Sequence, residues 1–362
     1  MNALARRIAR MIAMEGPISV GTFMMLALHD RERGFYATQE SIGAQGAFIT
    51  APEISQVFGE LIGLWCVACW RQQDCPTAPL LVDFGAGRGT LMTDMLRALR
   101  STSDFLESLD VVLVEASAKL ESMQRERLAD APVPVRWVRQ WSEIAGSRPL
   151  FVVANEFFDT LPIRQFVMTE RGWCERMVIS RNDALAFALS PQVVALPPNQ
   201  KKSRRDAAVG AVYEICPAAS SLTEEIGNRI AANGGAALII DYGHMGQGYG
   251  DTLQAVRQHA RDDVLAAPGE ADLSAHVDFS ALADGALRGG TCTHGPVTQG
   301  GFLRALGIEA RGENLIRTNP ERAAEIEAAV VRLTAAETMG TLFKVLAITA
   351  PNAPIPTGFD QC

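Results

Sequence analysis

The chain has 362 residues, of which 48% are hydrophobic and 20% are charged, and its formal net charge is -8 at pH 7. This composition is that of a folded globular protein with one large domain or two smaller ones. The acidic balance argues against a nucleic-acid partner, and the lack of any run of 18 uncharged apolar residues argues against membrane insertion.

Two helices are predicted within residues 3–30. Apolar residues at helical spacing favour an amphipathic first helix over a targeting segment; they are Leu4, Ile8, Met11 and Ile12. Ser19 is well placed to cap the second helix. The predicted buried stripe of that helix consists of Val20, Phe23, Met24 and Ala27.

An irregular segment at 34–52 precedes a long, strongly apolar helix at 53–71. Cys66 and Cys69 form a C-x-x-C pair in this helix, but a structural zinc site needs two more ligands at suitable spacing. We therefore interpret both thiols as core residues and predict no metal site. Seven cysteines without a regular framework indicate reduced thiols and a cytoplasmic compartment.

Short apolar runs alternate with helical stretches along the middle of the chain, which predicts a parallel sheet with an α/β fold. The runs lie at 80–84, 111–115, 133–138, 150–154 and 236–241. A further strand is predicted late in the chain, at 342–349.

The gap between the fourth and fifth runs is far longer than one crossover helix needs. Residues 164–189 alternate in polarity and predict an antiparallel meander, and 220–233 predict the crossover helix. The one dense basic run is interpreted as a solvated loop; it consists of Lys201, Lys202, Arg204 and Arg205. The predicted division is an N-terminal helical segment, 1–75, an α/β domain, 76–160 and 213–350, and an inserted β-rich substrate region, 161–212.

The strongest local signal is the run DFGAGRGT at residues 83–90, which follows a strand and opens a helix. Its glycines, Gly85, Gly87 and Gly89, allow a tight turn and close approach of a ligand to the backbone. The dinucleotide fingerprint is G-x-G-x-x-G, whereas this chain has G-x-G-x-G with Asp83 two residues before the first glycine. S-adenosylmethionine carries an ammonium and no phosphate, so the acid favours that cofactor.

Glu115 ends the second strand, where a carboxylate can accept hydrogen bonds from both ribose hydroxyls. We expect this strand end to face solvent in the absence of ligand. The glycine turn and the two acids together predict an S-adenosylmethionine-dependent methyltransferase. A nucleotide-dependent oxidoreductase and a non-catalytic relic with a generic glycine-rich turn remain as alternatives.

Three polar residues follow the fourth strand: Asn155, Glu156 and Asp159. Ligands of open α/β sheets bind beyond the carboxyl ends of the strands, so these side chains are expected beside the reactive methyl. Asn155 would contact the methionine part of the cofactor, and the two acids would hold the acceptor. Asp241, at the end of the fifth strand, is a third candidate for the acceptor. The alternative for the two earlier acids is helix capping, which suits Asp159 well.

Several longer runs resemble the MidA-like family of S-adenosylmethionine-dependent methyltransferases. They lie at 34–36, 43–60, 83–90, 155–166, 237–243, 250–254 and 272–279. Two departures are Ala47, where family members usually carry Asp, and Asp83, where Glu is common and the charge is preserved.

The resemblance implies a Rossmann-like class I methyltransferase sheet with helices on both faces and an N-terminal helical lid. Mitochondrial members of the family are complex I assembly factors that methylate protein arginine. The resemblance therefore implies an arginine of a partner protein, such as a respiratory-complex subunit, as acceptor, and the mitochondrial matrix as the compartment in a eukaryote.

Arginine methylation requires carboxylates that hold a planar guanidinium and orient one nitrogen toward the methyl. Glu156 with Asp159 or Asp241 meets this requirement, although the same acids would also bind another amine. Two further alternatives therefore stay open. One is a small-molecule N- or O-methyltransferase, and the other is an assembly chaperone that binds S-adenosylmethionine without turnover.

Overall fold

The structure, a computed structural model, describes residues 1–38, 50–195, 207–246, 249–258 and 260–359. Two features of the sequence lie outside these residues: the glycine-containing start of one family run, 43–49, and the basic run at 201–205. None of the helices within the described ranges is long and apolar enough to cross a membrane.

The helices of the described ranges are α1 (Ala3–Glu15), α2 (Val20–His29), α3 (Phe35–Thr38), α4 (Ala51–Ile54), α5 (Gln56–Arg71), α6 (Thr90–Leu99), α7 (Ser103–Ser108), α8 (Ala118–Arg127), α9 (Pro217–Asn233), α10 (Phe279–Arg288), α11 (Gln299–Ala305), α12 (Ile308–Thr318) and α13 (Ala323–Thr334). The strands are β1 (Ile18–Ser19), β2 (Leu80–Phe84), β3 (Asp110–Val114), β4 (Val135–Val138), β5 (Leu150–Asn155), β6 (Arg164–Thr169), β7 (Gly172–Arg181), β8 (Ala184–Val193), β9 (Val212–Ile215), β10 (Gly235–His244), β11 (Gln254–Arg257), β12 (Ala260–Asp262), β13 (Asp272–Ser274), β14 (Val277–Asp278), β15 (Cys292–Thr298) and β16 (Phe343–Thr349).

The central sheet has the strand order β4-β3-β2-β5-β10-β16-β15. The first five strands in this order are parallel, and β16 and β15 run antiparallel at one edge. The parallel sheet predicted from the five apolar runs is therefore confirmed, as is the late strand. β15 was not predicted, because its sequence CTHGPVT is polar and its pairing is interrupted by a bulge between His294 and Val297.

Both faces of the central sheet are buried, because successive side chains of a strand point to opposite faces. In β2, Leu81 joins the apolar core beneath α5 and α6, whereas Leu80 and Val82 join the core beneath α9 and α10. This arrangement confirms the predicted α/β fold with helices on both faces. Cys66 and Cys69 of α5 are buried, as predicted.

A second, antiparallel sheet has the order β1-β7-β6-β9, with β8 added on β7. The meander predicted at 164–189 is confirmed as β6, β7 and β8. β11, β12 and β13 form a third, small sheet.

The N-terminal helices pack on the second sheet. The Ser19 hydroxyl accepts a hydrogen bond from the backbone N–H of Thr22 at 3.0 Å, so the predicted cap of α2 is confirmed. The predicted stripe of α2 is fully buried, and Phe23 shares one apolar core with Val178 of β7 and Leu273 of β13. α5 instead packs on the central sheet. The division of the chain at residue 75 stays a prediction.

Candidate active site

The strand order of the central sheet reverses at β2, because β3 and β4 continue on one side and β5 and β10 on the other. Such a reversal leaves a crevice at the carboxyl ends of the two central strands, where ligands of open α/β sheets bind. An open cleft lies there. It is lined by Thr50, Pro52, Glu53, Asp83, Gly85, Ala86, Gly87, Arg88, Thr90, Leu91, Asn155 and Glu156.

The glycine turn between β2 and α6 has a left-handed backbone at Gly85, Gly87 and Gly89, where φ is 65°, 56° and 81°. Side chains are disfavoured at such φ values, which explains the glycine at each alternate position. A Cβ at Gly85 would also lie 3.0 Å from Cδ2 of Phe157. The turn therefore brings bare backbone to the floor of the cleft.

Asp83 and Asn155 present unused acceptors to this cleft. Asp83 is only 1% exposed, and within the described part of the chain its Oδ2 has no hydrogen-bond partner. Oδ1 of Asn155 is likewise buried and unpartnered among those residues. Burial, and next the charge of Glu115, raises the pKa of the Asp83 carboxyl to about 8. Unpartnered buried oxygens are costly, and an ammonium group brought by a ligand would satisfy both.

Glu115 follows β3 but does not face solvent, so that expectation was wrong. It is 7% exposed and accepts hydrogen bonds from the backbone N–H of Ser117 at 2.7 Å and from Nε2 of Gln124 at 3.0 Å. The same Gln124 amide donates to the carbonyl oxygen of Gly87 at 2.8 Å. Burial raises the pKa of Glu115 to about 7, against the opposing effect of these hydrogen bonds. Hydrogen bonds from Gln124 therefore connect Glu115 to the glycine turn.

Glu156 lies directly after β5, with a left-handed φ of 50°. Its Oε1 accepts hydrogen bonds from the backbone N–H of Ala51 at 3.0 Å and from Nδ2 of Asn155 at 3.2 Å. Burial raises the pKa of this carboxyl to about 7. The side chain thus lines the cleft and at the same time holds the start of α4 beside it.

Asp241 lies within β10 and is fully buried. Its carboxylate accepts hydrogen bonds from three backbone N–H groups, those of Phe158, Asp159 and Tyr242, at 3.0, 3.2 and 2.9 Å. Burial raises the pKa of Asp241 well above its usual value. These contacts suit a residue that fixes the turn after β5, and they leave the carboxylate poorly placed to hold an acceptor.

Asp159 lies in that turn, a single 3₁₀ turn at Phe158–Thr160. Its Oδ2 accepts a hydrogen bond from the hydroxyl of Tyr242 at 2.7 Å. Its Oδ1 is buried, and no partner for it is found among the described residues. Burial raises the pKa of Asp159 to about 6.

Three residues of this region were not identified from the sequence: Asp272 on β13, Tyr36 on α3 and Tyr242 on β10. The Tyr36 hydroxyl donates a hydrogen bond to Oδ1 of Asp272 at 3.3 Å. Burial, and next the charge of Asp159, raises the pKa of Asp272 to about 8. All three fall within runs that resemble the MidA-like family, but no spacing between them marks a site.

Comparisons with known proteins agree with this geometry. The family model described as "Putative S-adenosyl-L-methionine-dependent methyltransferase" matches residues 61–297. The chain is 37% identical to protein arginine methyltransferase NDUFAF7, mitochondrial, of Homo sapiens, over 89% of this chain and 77% of that protein. It is 34% identical to the Drosophila melanogaster homolog, over 96% of this chain and 85% of that protein.

Among solved structures, a protein from Burkholderia thailandensis with bound S-adenosyl-homocysteine matches with a TM-score of 0.85 and 28% identity. The match covers 99% of this chain and 95% of that protein. The same arrangement of helices and sheets therefore holds this cofactor product in a related protein.

Proposed function

Because the chain belongs to the S-adenosyl-L-methionine-dependent methyltransferase family whose model it matches, we propose that it methylates an arginine side chain of a partner protein. Its curated relatives are named as protein arginine methyltransferases. The observation that carries the proposal is that one cleft is lined by unused acceptors for the cofactor and by Glu156 for the acceptor group.

On the cofactor side, Asp83 and Asn155 would bind the ammonium of the methionine part, and Glu115 would bind the ribose. Gly85, Gly87 and Gly89 would form the turn beneath them. When bound, S-adenosylmethionine supplies a methyl group on a positively charged sulfur. The protein's own contribution is to neutralise the ammonium and to fix the direction of the methyl, so positioning dominates the rate.

On the acceptor side, Glu156 and Asp159 would hold the guanidinium. A guanidinium is charged at physiological pH, and its nitrogen lone pairs are delocalised and poorly nucleophilic. A hydrogen-bonded carboxylate fixes one nitrogen in line with the methyl. Glu156 would take up the proton that this nitrogen gives up when it is methylated. Asp241 would act as a positioning residue, because it holds the turn that carries Asp159.

The proposals for the compartment and for the partner rest on the relatives and on the family resemblance. Their names carry the word mitochondrial, so the cytoplasmic expectation applies only to a bacterial chain. A respiratory-complex subunit is the partner that the family resemblance implies.

The test is Glu156→Gln, assayed with labelled S-adenosylmethionine and a cell extract. Glutamine keeps the shape and can still accept from Ala51, so S-adenosylhomocysteine should bind nearly as before. Methyl transfer to protein should fall by about two orders of magnitude, as expected when a transition-state interaction is lost. Acid hydrolysis of the labelled protein should release methylarginine.

Glu121→Gln is the matched control, because Glu121 lies on α8 and pairs with Arg125 at 2.7 Å. It should leave both cofactor binding and transfer unchanged. Label found only in small molecules would favour a small-molecule methyltransferase, and binding without any transfer would favour the chaperone. Loss of cofactor binding in Glu156→Gln would assign Glu156 to the cofactor site.

A further inference from the structure

We propose that Asp159, Asp272, Tyr36 and Tyr242 form the subsite that receives the guanidinium of the acceptor arginine, beside the cofactor cleft. We call these four residues the acceptor cluster. This inference rests on the proposed function and extends it, because it assigns three residues to the acceptor that no sequence motif identifies.

The acceptor cluster is assembled from distant parts of the chain by specific hydrogen bonds. Tyr242 donates to Oδ2 of Asp159 at 2.7 Å, and Tyr36 donates to Oδ1 of Asp272 at 3.3 Å. The backbone N–H of Ala275 donates to the carbonyl oxygen of Asp159 at 2.9 Å, which fixes the end of β13 against the turn after β5. The two carboxylates are therefore held in place before any acceptor arrives.

The acceptor cluster lies close to Glu156, and thus to the cleft, because Asp159 belongs to the 3₁₀ turn at Phe158–Thr160 that begins two residues after Glu156. The charge of Asp159 raises the pKa of both Glu156 and Asp272. The charge of Glu156 also raises the pKa of Asp272. Three carboxylates within mutual electrostatic range, one of them lining the cofactor cleft, place the subsite where the methyl would be transferred.

These carboxylates have no cationic partner among the residues that the structure describes. In the described portion of the chain, none of Glu156, Asp159 and Asp272 forms an ion pair with arginine or lysine. Arg332 lowers the pKa of Glu156 without forming such a pair. Oδ1 of Asp159, on a residue that is 7% exposed, also lacks a hydrogen bond from any described residue.

A second buried carboxylate of the same protein shows the contrast. Glu60 is 1% exposed and is paired with Arg97 at 3.2 Å and with Arg311 at 2.7 Å. The fold thus supplies two guanidinium groups to the buried Glu60, and it supplies three backbone N–H donors to the buried Asp241. Burying unpaired carboxylates is costly unless they take up protons or a cation. We therefore infer that the acceptor cluster is completed by a guanidinium from outside.

A guanidinium suits the acceptor cluster better than an ammonium. Its planar fork presents several N–H donors to more than one carboxylate, and its face is attracted to aromatic rings. Tyr36, Tyr242 and Asp272 are all partly exposed, so an incoming side chain can contact them.

The experiment uses the full chain saturated with S-adenosylhomocysteine and, as probes, N-ethylguanidinium and ethylammonium in titration calorimetry. The wild type should bind N-ethylguanidinium more tightly than ethylammonium. Asp272→Asn should weaken guanidinium binding by about tenfold or more, the factor that corresponds to one hydrogen bond to a charged group. Tyr36→Phe, a milder change, should weaken it by a smaller factor, and both variants should keep their affinity for S-adenosylhomocysteine.

Asp284→Asn is the matched control, because Asp284 is an exposed acid on α10; it should bind both probes as the wild type does. With arginine-containing peptides as methyl acceptors, Asp272→Asn should raise KM more than it lowers kcat. Equal binding of the two probes by the wild type, or unchanged guanidinium binding in both variants, would overturn the assignment. Guanidinium binding without methyl transfer to arginine would keep the subsite and reject the proposed function.

Discussion

Asp83 shows how one buried side chain couples cofactor binding to pH. Its pKa is about 8 in the folded protein, because burial disfavours the charged carboxylate. The unfolded chain loses this proton near the ordinary value of 3.8. Between these two values the folded protein holds more protons than the unfolded chain does, so the unliganded protein loses stability as pH rises through this window. An ammonium group beside Asp83 stabilises the charged carboxylate and therefore lowers the pKa of Asp83 in the complex.

We therefore expect S-adenosylhomocysteine to bind more tightly as pH rises from 6 to 8, with release of a proton. Calorimetry in two buffers of different ionisation enthalpy measures that release directly. Asp83→Asn should weaken binding and remove most of its pH dependence, leaving the smaller contribution of Glu115. A pH dependence as steep in Asp83→Asn as in the wild type would show that another group carries the proton.

At this scale the sequence predicts what is local. The turn at 83–90 could be recognised because strand, glycines and acid are adjacent in the chain. Asp241 was assigned to the acceptor because it lies at the right sheet edge, but the sequence does not show that three backbone N–H groups occupy its oxygens. Tyr36 and Asp272 meet across 236 positions of sequence, and nothing in one chain alone indicates that contact.

At the scale of elements, Glu115 joins three pieces of structure: β3, the start of α8 and the glycine turn. Because Ser117 and Gln124 donate to it, Glu115→Ala should leave two buried donors without an acceptor. We expect a loss of about 1–3 kcal/mol in the free energy of unfolding without ligand. The affinity for S-adenosylhomocysteine should also fall, by about tenfold or more, as a hydrogen bond to a charged group is lost.

Urea unfolding and calorimetry measure the two effects of Glu115→Ala separately. Glu121→Ala, which removes a partly exposed acid from the same helix, should change neither quantity by much, because surface ion pairs contribute little. A variant Glu115→Ala with unchanged unfolding and reduced affinity would restore the original expectation of a solvent-facing carboxylate.

Elements whose sequence shows a clear hydrophobic period were predicted well. Features that depend on packing against other elements were not. The meander β6–β8 alternates in polarity, and α2 shows its buried stripe, so both could be predicted. The predicted helix at 53–71 is broken at Ser55, which caps α5 by accepting from the backbone N–H of Val57 at 3.3 Å. The position of α5 on the central sheet depends on packing, which a helical period does not reveal.

At the scale of the whole molecule, the chain has separate apolar cores that serve different halves of the site. The central sheet and its helices surround two cores, one of which includes Phe151, and Asp83 lies on β2 of this sheet. A further core joins α1, α2, the second sheet and β13, and Tyr36 packs against it. We call the central sheet with its helices the first body, and α1, α2, the second sheet and β13 the second body. The cofactor residues thus belong to the first body, whereas Tyr36 packs against the core of the second body and Asp272 lies on β13.

Phe23→Ala and Phe151→Ala form a matched pair that tests this division, because both rings are fully buried in different cores. Each truncation should cost about 3–5 kcal/mol locally. In Phe23→Ala, hydrogen exchange should quicken in α1, α2 and β7 while β5 and β10 stay protected, because bodies with separate cores open separately. S-adenosylhomocysteine should still bind, but methyl transfer should be lost because Tyr36 and Asp272 are no longer held in place.

In Phe151→Ala, hydrogen exchange should quicken across the central sheet, and binding of S-adenosylhomocysteine should be lost as well. The same exchange pattern in both variants would mean that the two bodies unfold as one, and the acceptor half of the site could then not be disabled without the cofactor half.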